Sequence, residues 1–207
     1  MEEKIKKDCS HCDANSFALE KPLKETKNFR VVCDVHPIIE GHILIIPKKH
    51  ISCIGEYNSE LLKEFDGLYS EFTKFIKKVY GKVSSFEHGK IGQTVFHSHI
   101  HLLPYKGNVK SIVPEGKDFL LELDKVIHLK EVFSRDKKYL YFSINERLWI
   151  VDVSVGKPGF FRDRFATALG RSNRGNWKQM HGDAQIMMLA NKEIESLKEK
   201  WQKYSHS

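Results

Sequence analysis

Residues 94–105, TVFHSHIHLLPY, decide how the first half of this chain is expected to fold. His97, His99 and His101 stand at every second position of an otherwise apolar run. Alternate side chains of a β-strand share a face, so a strand over 94–104 would place three imidazoles in a row, about 6 to 7 Å from one to the next. The opposite face would be mostly core-like and would carry Phe96, Ser98, Ile100 and Leu102. The run therefore predicts one long strand with a chemically active face.

Three imidazoles on one face can perform three different tasks. A neutral imidazole, whose unperturbed pKa is about 6.5, can act as a nucleophile, a hydrogen-bond donor or a metal ligand near neutral pH. In one interpretation, the middle histidine attacks phosphorus and forms a covalent nucleotidyl-histidine that flanking donors stabilise. In the other, two histidines at positions i and i+2 hold a catalytic metal whose bound water attacks. The run alone leaves both interpretations open.

The residues around this run predict an α+β layout, in which strands are crossed by one long helix. Alternation and β-branched side chains predict strands at 29–34 and 42–47, and a further strand at about 82–87. Between the second and third of these strands, apolar residues at helical spacing predict a helix that Ser59 caps and Gly81 ends.

The pattern changes after Pro104, and we expect a domain boundary near residue 107. The first unit would cover 1–107 and a C-terminal α+β extension would cover 108–207. Within the extension, the spacing of apolar residues and the turn residues predict further helices and a hairpin with an Asn-Glu turn. The predicted elements are a helix at 115–127, two strands within 137–153, a helix at 160–169 that Gly170 ends, and a helix at 183–204.

The composition is that of a globular protein, with 207 residues of which 41% are apolar. No run reaches the roughly 18 apolar residues of a membrane span, and the first residues lack a secretory pattern, so we expect a cytoplasmic or nuclear protein. The net charge is +7, and the basic residues between 162 and 178 face only Asp163. Such a patch is typical either of polyanion binding or of a solvated surface.

The 4 cysteines are too few and too unevenly spaced for a disulfide scaffold. In a reducing compartment, the spacing of Cys9 and Cys12 is typical of a metal or redox pair. A tetrahedral structural zinc site would need two ligands besides these two thiolates. Cys33 and Cys53 are expected to be small buried residues.

The sequences GHILIIPKKH at 41–50 and GQTVFHSHIHLLP at 92–104 together resemble the histidine-triad superfamily of nucleotide hydrolases and transferases. The resemblance covers about residues 9–107. It implies an antiparallel sheet with a long crossing helix, and an enzyme that acts on the α-phosphate of its substrate. That substrate would be a nucleoside or dinucleoside polyphosphate, a phosphoramidate or an adenylylated molecule. Members of the superfamily often form homodimers, although the extension could cover that surface.

The same resemblance implies roles for individual residues. His99, the middle histidine, would be the nucleophile, and Glu87 or His88 could assist near the leaving group or have no role. The other implied contacts are His101, Gln93 and Thr94 with the phosphate, Asp34 with a ribose hydroxyl, and Phe29 and His42 with the nucleoside.

In zinc-bearing branches of the superfamily, including those similar to galactose-1-phosphate uridylyltransferases, two histidines complete the site begun by the cysteine pair. The corresponding positions here are His50 and His97. The resemblance therefore implies a structural zinc bound by Cys9, Cys12, His50 and His97. A metal-free thiol pair is the alternative, and His11, between the cysteines, could compete for a ligand role.

Residues 159–178 are similar to a segment of CwfJ-like RNA-processing proteins. This similarity implies that Trp177 stacks on a base and that the basic half of the chain contacts RNA or DNA. The cations concerned would be Arg162, Arg164, Arg174 and Lys178. Alternatively, Phe161, Phe165 and Leu169 are only the core stripe of a helix. Besides the nucleotidyl enzyme, two alternatives stay open: a module that binds nucleic-acid ends, and a hydrolase with a metal-bound water.

Overall fold

The structure, a computed structural model, describes residues 6–206. Residues 1–5 and 207, which the predicted units include, lie outside the described residues. The strands are β1 (Pro22–Glu25), β2 (Phe29–Cys33), β3 (Ile43–Pro47), β4 (Ser84–Gly89), β5 (Ile100–Leu103), β6 (Leu120–Leu123), β7 (Tyr139–Ile144) and β8 (Arg147–Val151). The α-helices are α1 (Ser59–Tyr80), α2 (Leu129–Asp136), α3 (Phe160–Ala168), α4 (Trp177–His181) and α5 (Ala184–Ser205).

The strands form one 8-stranded sheet in the order β1-β2-β3-β5-β4-β7-β8-β6. Every pair of neighbouring strands is antiparallel. The predicted α+β class, with an antiparallel sheet and a long helix, is confirmed. Strand β7 pairs with β4 along its whole length, from Ser84 opposite Ile144 to Gly89 opposite Tyr139. The sheet therefore runs from the predicted first unit into the extension, and the boundary near residue 107 stays a prediction.

Helix α1 supplies much of the apolar cover on one face of the sheet. The predicted cap was wrong by one residue, because Asn58 is extended and its side chain accepts a hydrogen bond from the N–H of Leu61. The helix ends as predicted at Gly81, whose φ of 84° is left-handed and whose N–H reaches the carbonyl of Lys77. Phe65 and Phe72 on this helix are fully buried.

The sheet has a core on each face. Tyr141 and Phe142 are neighbours on β7, yet Tyr141 belongs to the core formed with α1, α2 and α5, and Phe142 to the core formed with α3. Helix α5 returns to the first half, where Trp201 stacks on Phe72 with ring centroids 4.4 Å apart and donates to the carbonyl of Leu23 at 2.9 Å. Helix α5 thus packs against α1 and β1 of the first half.

The long histidine strand is much shorter than predicted. Only Ile100–Leu103 pairs as a strand, and residues 94–99 form an irregular segment. The backbone N–H of Ser98 leaves the sheet ladder and donates to the carbonyl of Ile51 at 2.6 Å. Phe96, expected on the core face, is 60% exposed. Tertiary contacts of this segment therefore override its strand-like alternation.

The predicted helix at 115–127 was also wrong. Residues 120–123 form the edge strand β6, which pairs with β8 and lies next to two short 3₁₀ turns. The predicted hairpin, the helix ended by Gly170 and the terminal helix are confirmed. The hairpin turn places Asn145 and Glu146 at φ of 50° and 70°, as a two-residue turn of this hand requires. Within residues 6–206, no helix is both long and apolar enough to span a membrane.

Candidate functional site

A cavity of about 210 Å³ opens beside the histidine segment. Both halves of the chain line it, because α3 and α4 of the extension lie against the turn after β2. Its polar and aromatic lining includes His11, Phe17, Asp34, His36, Thr94, His99, His101, Arg162 and Trp177.

His99 presents one free ring nitrogen to this cavity. Its Nδ1 lies 2.6 Å from the carbonyl oxygen of His97 and must carry the proton, because a carbonyl can only accept. Neutral His99 therefore keeps its lone pair on Nε2. Burial lowers the pKa of His99, and the Arg162 charge lowers it further, against the opposing effects of the His97 carbonyl and Asp34. The neutral, nucleophilic form is thus favoured at neutral pH.

A chain of hydrogen bonds also sets the tautomer of His101. The backbone N–H of Ile38 donates to Nδ1 of His42 at 3.1 Å, so neutral His42 carries its proton on Nε2. That Nε2–H faces Nδ1 of His101 at 2.9 Å, which leaves the proton of His101 on its own Nε2. Burial lowers the pKa of His42 to about 4 and lowers that of His101 as well. His101 is therefore a neutral donor beside His99, with ring centroids 5.0 Å apart.

Two residues predicted to line the nucleoside pocket do not lie on its wall. His42 is fully buried behind His101. Phe29 is fully buried in the core, where its ring packs against Tyr57 and Phe65 with centroids 5.6 and 6.2 Å apart. The strand β2 points Phe29 towards α1, because the face of β2 that covers the core carries every second side chain.

Asp34 does line the cavity, but it has a partner that the sequence did not reveal. Arg162 of α3 donates to Oδ2 of Asp34 at 2.7 Å and to the carbonyl of His36 at 2.6 Å. The other carboxylate oxygen accepts the backbone N–H of His36 at 2.8 Å. Burial raises the pKa of Asp34, but Arg162, His42 and the hydrogen bond from the His36 N–H lower it, and the pKa lies below its usual value. An acidic residue from one half and a basic residue from the other thus form one buried pair.

Gln93 and Thr94 have different environments. The side-chain N–H of Gln93 donates to the carbonyl of Ser52 at 2.7 Å, and Gln93 lies outside the cavity lining. Its Oε1 is buried without a partner within residues 6–206. Thr94 is exposed and lines the cavity. Only Thr94 of this predicted pair is positioned to meet a ligand there.

Gly92, the first residue of the stretch GQTVFHSHIHLLP, packs closely against the backbone of the extension. Its φ is 65°, and a Cβ on it would lie 2.3 Å from the carbonyl oxygen of Lys157. The close backbone approach that requires glycine is therefore to the extension.

The four predicted metal ligands come together in one cluster, formed by Cys9, Cys12, His50 and His97. Their ligand atoms lie within 4.8 Å of one another. Nδ1 of His97 is 3.4 Å from each sulfur, and Nδ1 of His50 is 3.3 Å from Sγ of Cys12. A tetrahedral zinc with ordinary bond lengths separates sulfur and nitrogen ligands by about 3.5 Å. Nε2 of His97 meets the carbonyl of Pro47 at 2.7 Å, which orients Nδ1 towards the sulfurs. The cluster could hold a metal ion, and His11 is not part of it.

A second group, made of Asp34, His42 and His101, also has its polar atoms within 4.8 Å. His42 and His101 already bond each other directly, and the Arg162 guanidinium occupies the open side of Asp34. A cation there would be repelled by Arg162 and would have to break the imidazole pair. His99 belongs to neither group. These contacts weigh against a hydrolase in which two histidines at i and i+2 hold a catalytic metal.

Glu87 is buried away from the cavity and anchors the histidine segment. Ser98, between His97 and His99, donates to Glu87 at 2.8 Å, and the hydroxyl of Tyr139 donates to it as well. Burial raises the pKa of Glu87 to about 7, despite these hydrogen bonds. His88 accepts a hydrogen bond from the backbone N–H of Phe161 at 3.4 Å. The sequence could not predict this contact, because the spacing of Glu87 and Ser98 is equally compatible with two polar residues in loops.

The basic patch of the extension is largely neutralised within the protein. Arg164 pairs with Glu115 at 2.5 Å, and Arg171 and Arg174 pair with Glu193 at 2.7 and 3.2 Å. Lys178 lies over the Trp177 ring, 5.7 Å from its centroid. The arginines predicted to contact nucleic acid therefore join parts of the fold to one another.

An aromatic wall completes the mouth of the cavity. It consists of Phe17, which is 42% exposed, together with His36 and Trp177. The ring of His36 lies between the other two, with centroids 5.7 Å away in each case. The wall offers flat apolar surfaces next to polar groups, as sites for heterocyclic ligands do.

Comparison with known proteins identifies a family to which the chain is similar. The HIT domain profile matches residues 19–108. An uncharacterized HIT-like protein of Methanocaldococcus jannaschii is 30% identical over 118 residues, which cover 54% of this chain and 88% of that protein. Protein hit of Bacillus subtilis is 29% identical over 87 residues, or 40% of this chain and 60% of that protein. The solved structure of a zinc-bound histidine triad family protein from Mycobacterium smegmatis aligns with 50% of this chain and 78% of its own, at 23% identity and a TM-score of 0.40. Because the match to the Methanocaldococcus jannaschii protein is 30% identical and covers 88% of that protein, the chain belongs to the HIT, or histidine-triad, family.

Proposed function

We propose that this protein is a nucleotide hydrolase or nucleotidyltransferase that forms a covalent nucleotidyl-histidine on His99. The observation that carries the proposal is the hydrogen bond from Nδ1–H of His99 to the carbonyl of His97, at 2.6 Å. It leaves Nε2 with a free lone pair on a ring that lines the cavity. His101 lies beside it as a neutral donor for a phosphoryl oxygen.

The reaction has two displacements at the α-phosphorus. The lone pair on Nε2 of His99 forms a P–N bond as the bond from phosphorus to the leaving group breaks. The leaving group departs with that electron pair and takes a proton from solvent. Water then attacks phosphorus, the P–N bond breaks, its electron pair returns to Nε2, and the proton of the water goes to solvent. An acceptor other than water would make the same chain a transferase.

The substrate is a nucleoside or dinucleoside polyphosphate, a nucleoside phosphoramidate or an adenylylated molecule. Its base would lie against Phe17 and Trp177, and its phosphate would reach His101 and Thr94. Because Asp34 already binds Arg162, a ribose hydroxyl would meet this ion pair and not an isolated carboxylate. Since most arginines of the extension are paired internally, small nucleotides are favoured over nucleic-acid ends. The similarity of residues 159–178 to CwfJ-like proteins stays a prediction.

Zinc is the metal that best suits the cluster of two cysteines and two histidines. Bound there, it would supply no chemistry to the phosphoryl transfer and would tie the N-terminal segment to the segment before β5. The predicted cytoplasmic or nuclear location, where cysteines stay reduced, would leave Cys9 and Cys12 able to bind the metal. A homodimer through the edge of β4 is not expected, because β7 of the same chain already pairs with it.

The experiment that tests the proposal compares the wild type with His99→Ala on a panel of four kinds of candidate substrate. The panel would consist of dinucleoside polyphosphates, nucleoside phosphoramidates, capped RNA fragments and adenylylated DNA. We expect the variant to lose turnover by at least about 1,000-fold, as removal of a nucleophile does. Intact mass spectrometry of a rapidly quenched reaction should find a nucleotidyl adduct on the wild type and none on the variant.

Circular dichroism and metal content of the variant should match the wild type, which separates loss of chemistry from loss of fold. Turnover that persists in His99→Ala would contradict the proposal. Nucleic-acid binding that is sensitive to salt and unaffected by this substitution, with no hydrolysis across the panel, would select the binding module instead.

A further inference from the structure

We infer that His11 is a further substrate-binding residue, whose imidazole hydrogen-bonds the phosphoryl group that His99 attacks. The inference deepens the proposed function, since it assumes that the ligand of the cavity is a nucleotide phosphate. It concerns a residue that lies between Cys9 and Cys12 and that belongs to neither the metal cluster nor the histidine triad.

His11 is a buried polar side chain whose ring nitrogens have no hydrogen-bond partner within residues 6–206. It is only 5% exposed, and its Nδ1 is buried with no hydrogen bond to any residue in the range 6–206. Nε2 of the same ring is not shut off in this way, yet it also has no hydrogen bond within that range, and the ring lines the cavity. Because buried polar groups are nearly always paired, a ligand or ordered water in the cavity is the partner open to Nε2. A ring that served only to fill space would be better replaced by phenylalanine, which has no polar atom to desolvate.

The position of the ring selects the phosphoryl group as that partner. The centroid of His11 lies 4.8 Å from that of His99, and the two rings are at 78° to each other. His101 lies 5.0 Å from His99, and both flanking rings line the same cavity. A phosphorus atom bonded to His99 carries non-bridging oxygens within about 2.6 to 3.2 Å hydrogen-bond reach of neighbours placed in this way.

A metal in the cluster would not need the His11 nitrogens as ligands. Cys9, Cys12, His50 and His97 already make a complete tetrahedral donor set, and a structural site of this type is closed. With the two cysteines held by a metal, the backbone on both sides of His11 is fixed. The cluster thus positions His11 at the cavity without using its nitrogens.

The test compares His11→Phe with His11→Gln. Phenylalanine keeps the ring volume and removes the polar atoms, whereas glutamine keeps an uncharged donor. For the substrate that the wild type turns over fastest, we expect kcat to fall about 10- to 100-fold in His11→Phe, because one oxyanion donor is lost. His11→Gln should recover part of that loss. Lys7→Ala, an exposed change next to the same cysteine pair, is the control and should leave kcat unchanged.

A binding measurement separates this inference from the proposed function. Isothermal titration should show that His11→Phe weakens the binding of AMP several-fold and leaves the binding of adenosine unchanged. This comparison holds even if the wild type hydrolyses nothing, in which case only the proposed reaction fails. Metal content and melting temperature should match the wild type in both variants. Equal kcat in His11→Phe and the wild type, or equal loss of AMP and adenosine affinity, would overturn the inference.

Discussion

The metal cluster and the His99 cavity share the run from His97 to His101, yet they are built differently. All four ligands of the cluster come from the first half, and the distances between their nitrogens and sulfurs, 3.3 and 3.4 Å, suit a single bound ion. The cavity takes its walls from both halves, and Arg162 and Trp177 come from the extension. A closed site depends on a few ligands around one point, whereas an open site depends on which distant segments meet. We therefore expect the cluster to govern stability, and the cavity walls to govern binding and, through the Arg162 ion pair, to add to stability.

Removal of the metal should have the largest effect on stability. A small effect would contradict the contrast between the cluster and the cavity. A chelator, or the double substitution Cys9→Ser and Cys12→Ser, should lower the melting temperature by at least about 10 °C, because a structural zinc contributes directly to folding. Differential scanning calorimetry with metal analysis measures this. Added zinc should restore the chelated wild type and not the double variant. Activity lost to chelator with an unchanged melting temperature would instead indicate a catalytic metal.

Loss of Arg162 should be the next largest effect, and it tests whether the cavity wall also carries stability. Arg162 and Asp34 are 8% and 5% exposed, so Arg162→Met leaves a buried carboxylate without its cation. The expected cost is about 3 to 5 kcal/mol in the free energy of unfolding, measured by urea denaturation at pH 7. The double variant with Asp34→Asn should recover much of it, because no buried charge then remains. An unchanged denaturation midpoint in Arg162→Met would show that the pair does not hold α3 against β2.

The smallest of the three effects is a pH dependence of stability that comes from Glu87. This buried residue accepts a hydrogen bond from Ser98, between the cluster residue His97 and the cavity residue His99. Its pKa of about 7 in the folded protein exceeds the value of 4.5 expected when it is unfolded. Between about pH 4.5 and 7, the folded state keeps a proton that the unfolded state has lost. The contribution of this group to the free energy of unfolding is therefore complete below this window. It is lost as the pH rises through the window, by about 3 kcal/mol in total. Unfolding curves from pH 5 to 8 should show this slope in the wild type, and Glu87→Gln should flatten it.

The matched control is Glu199→Gln, which makes the same change on an exposed position of α5. Its unfolding curves should keep the slope of the wild type. A slope that survives in Glu87→Gln would assign the pH dependence to other groups.

Much of the local structure could be predicted from the chain. The spacing of apolar residues predicted α1, α3 and α5, and turn residues predicted the hairpin at Asn145 and Glu146. The histidine run failed as a strand predictor, because Ser98 bonds to Ile51 and His97 turns towards the cysteines. Residues 120–123 failed as a helix, because pairing with β8 is a long-range contact that local spacing does not encode.

The sequence by itself predicted which side chains could bind a metal, which imidazoles could act as nucleophiles, and about where α1, α3 and α5 lie. Those properties depend on residue type and on neighbours within a few positions. Only the tertiary structure decided that Asp34 meets Arg162, that His42 and Phe29 lie behind the cavity wall, and that His11 lies against His99. These relations join residues that are far apart in the chain, and they arise because burial and ion pairing select one packing of the two halves.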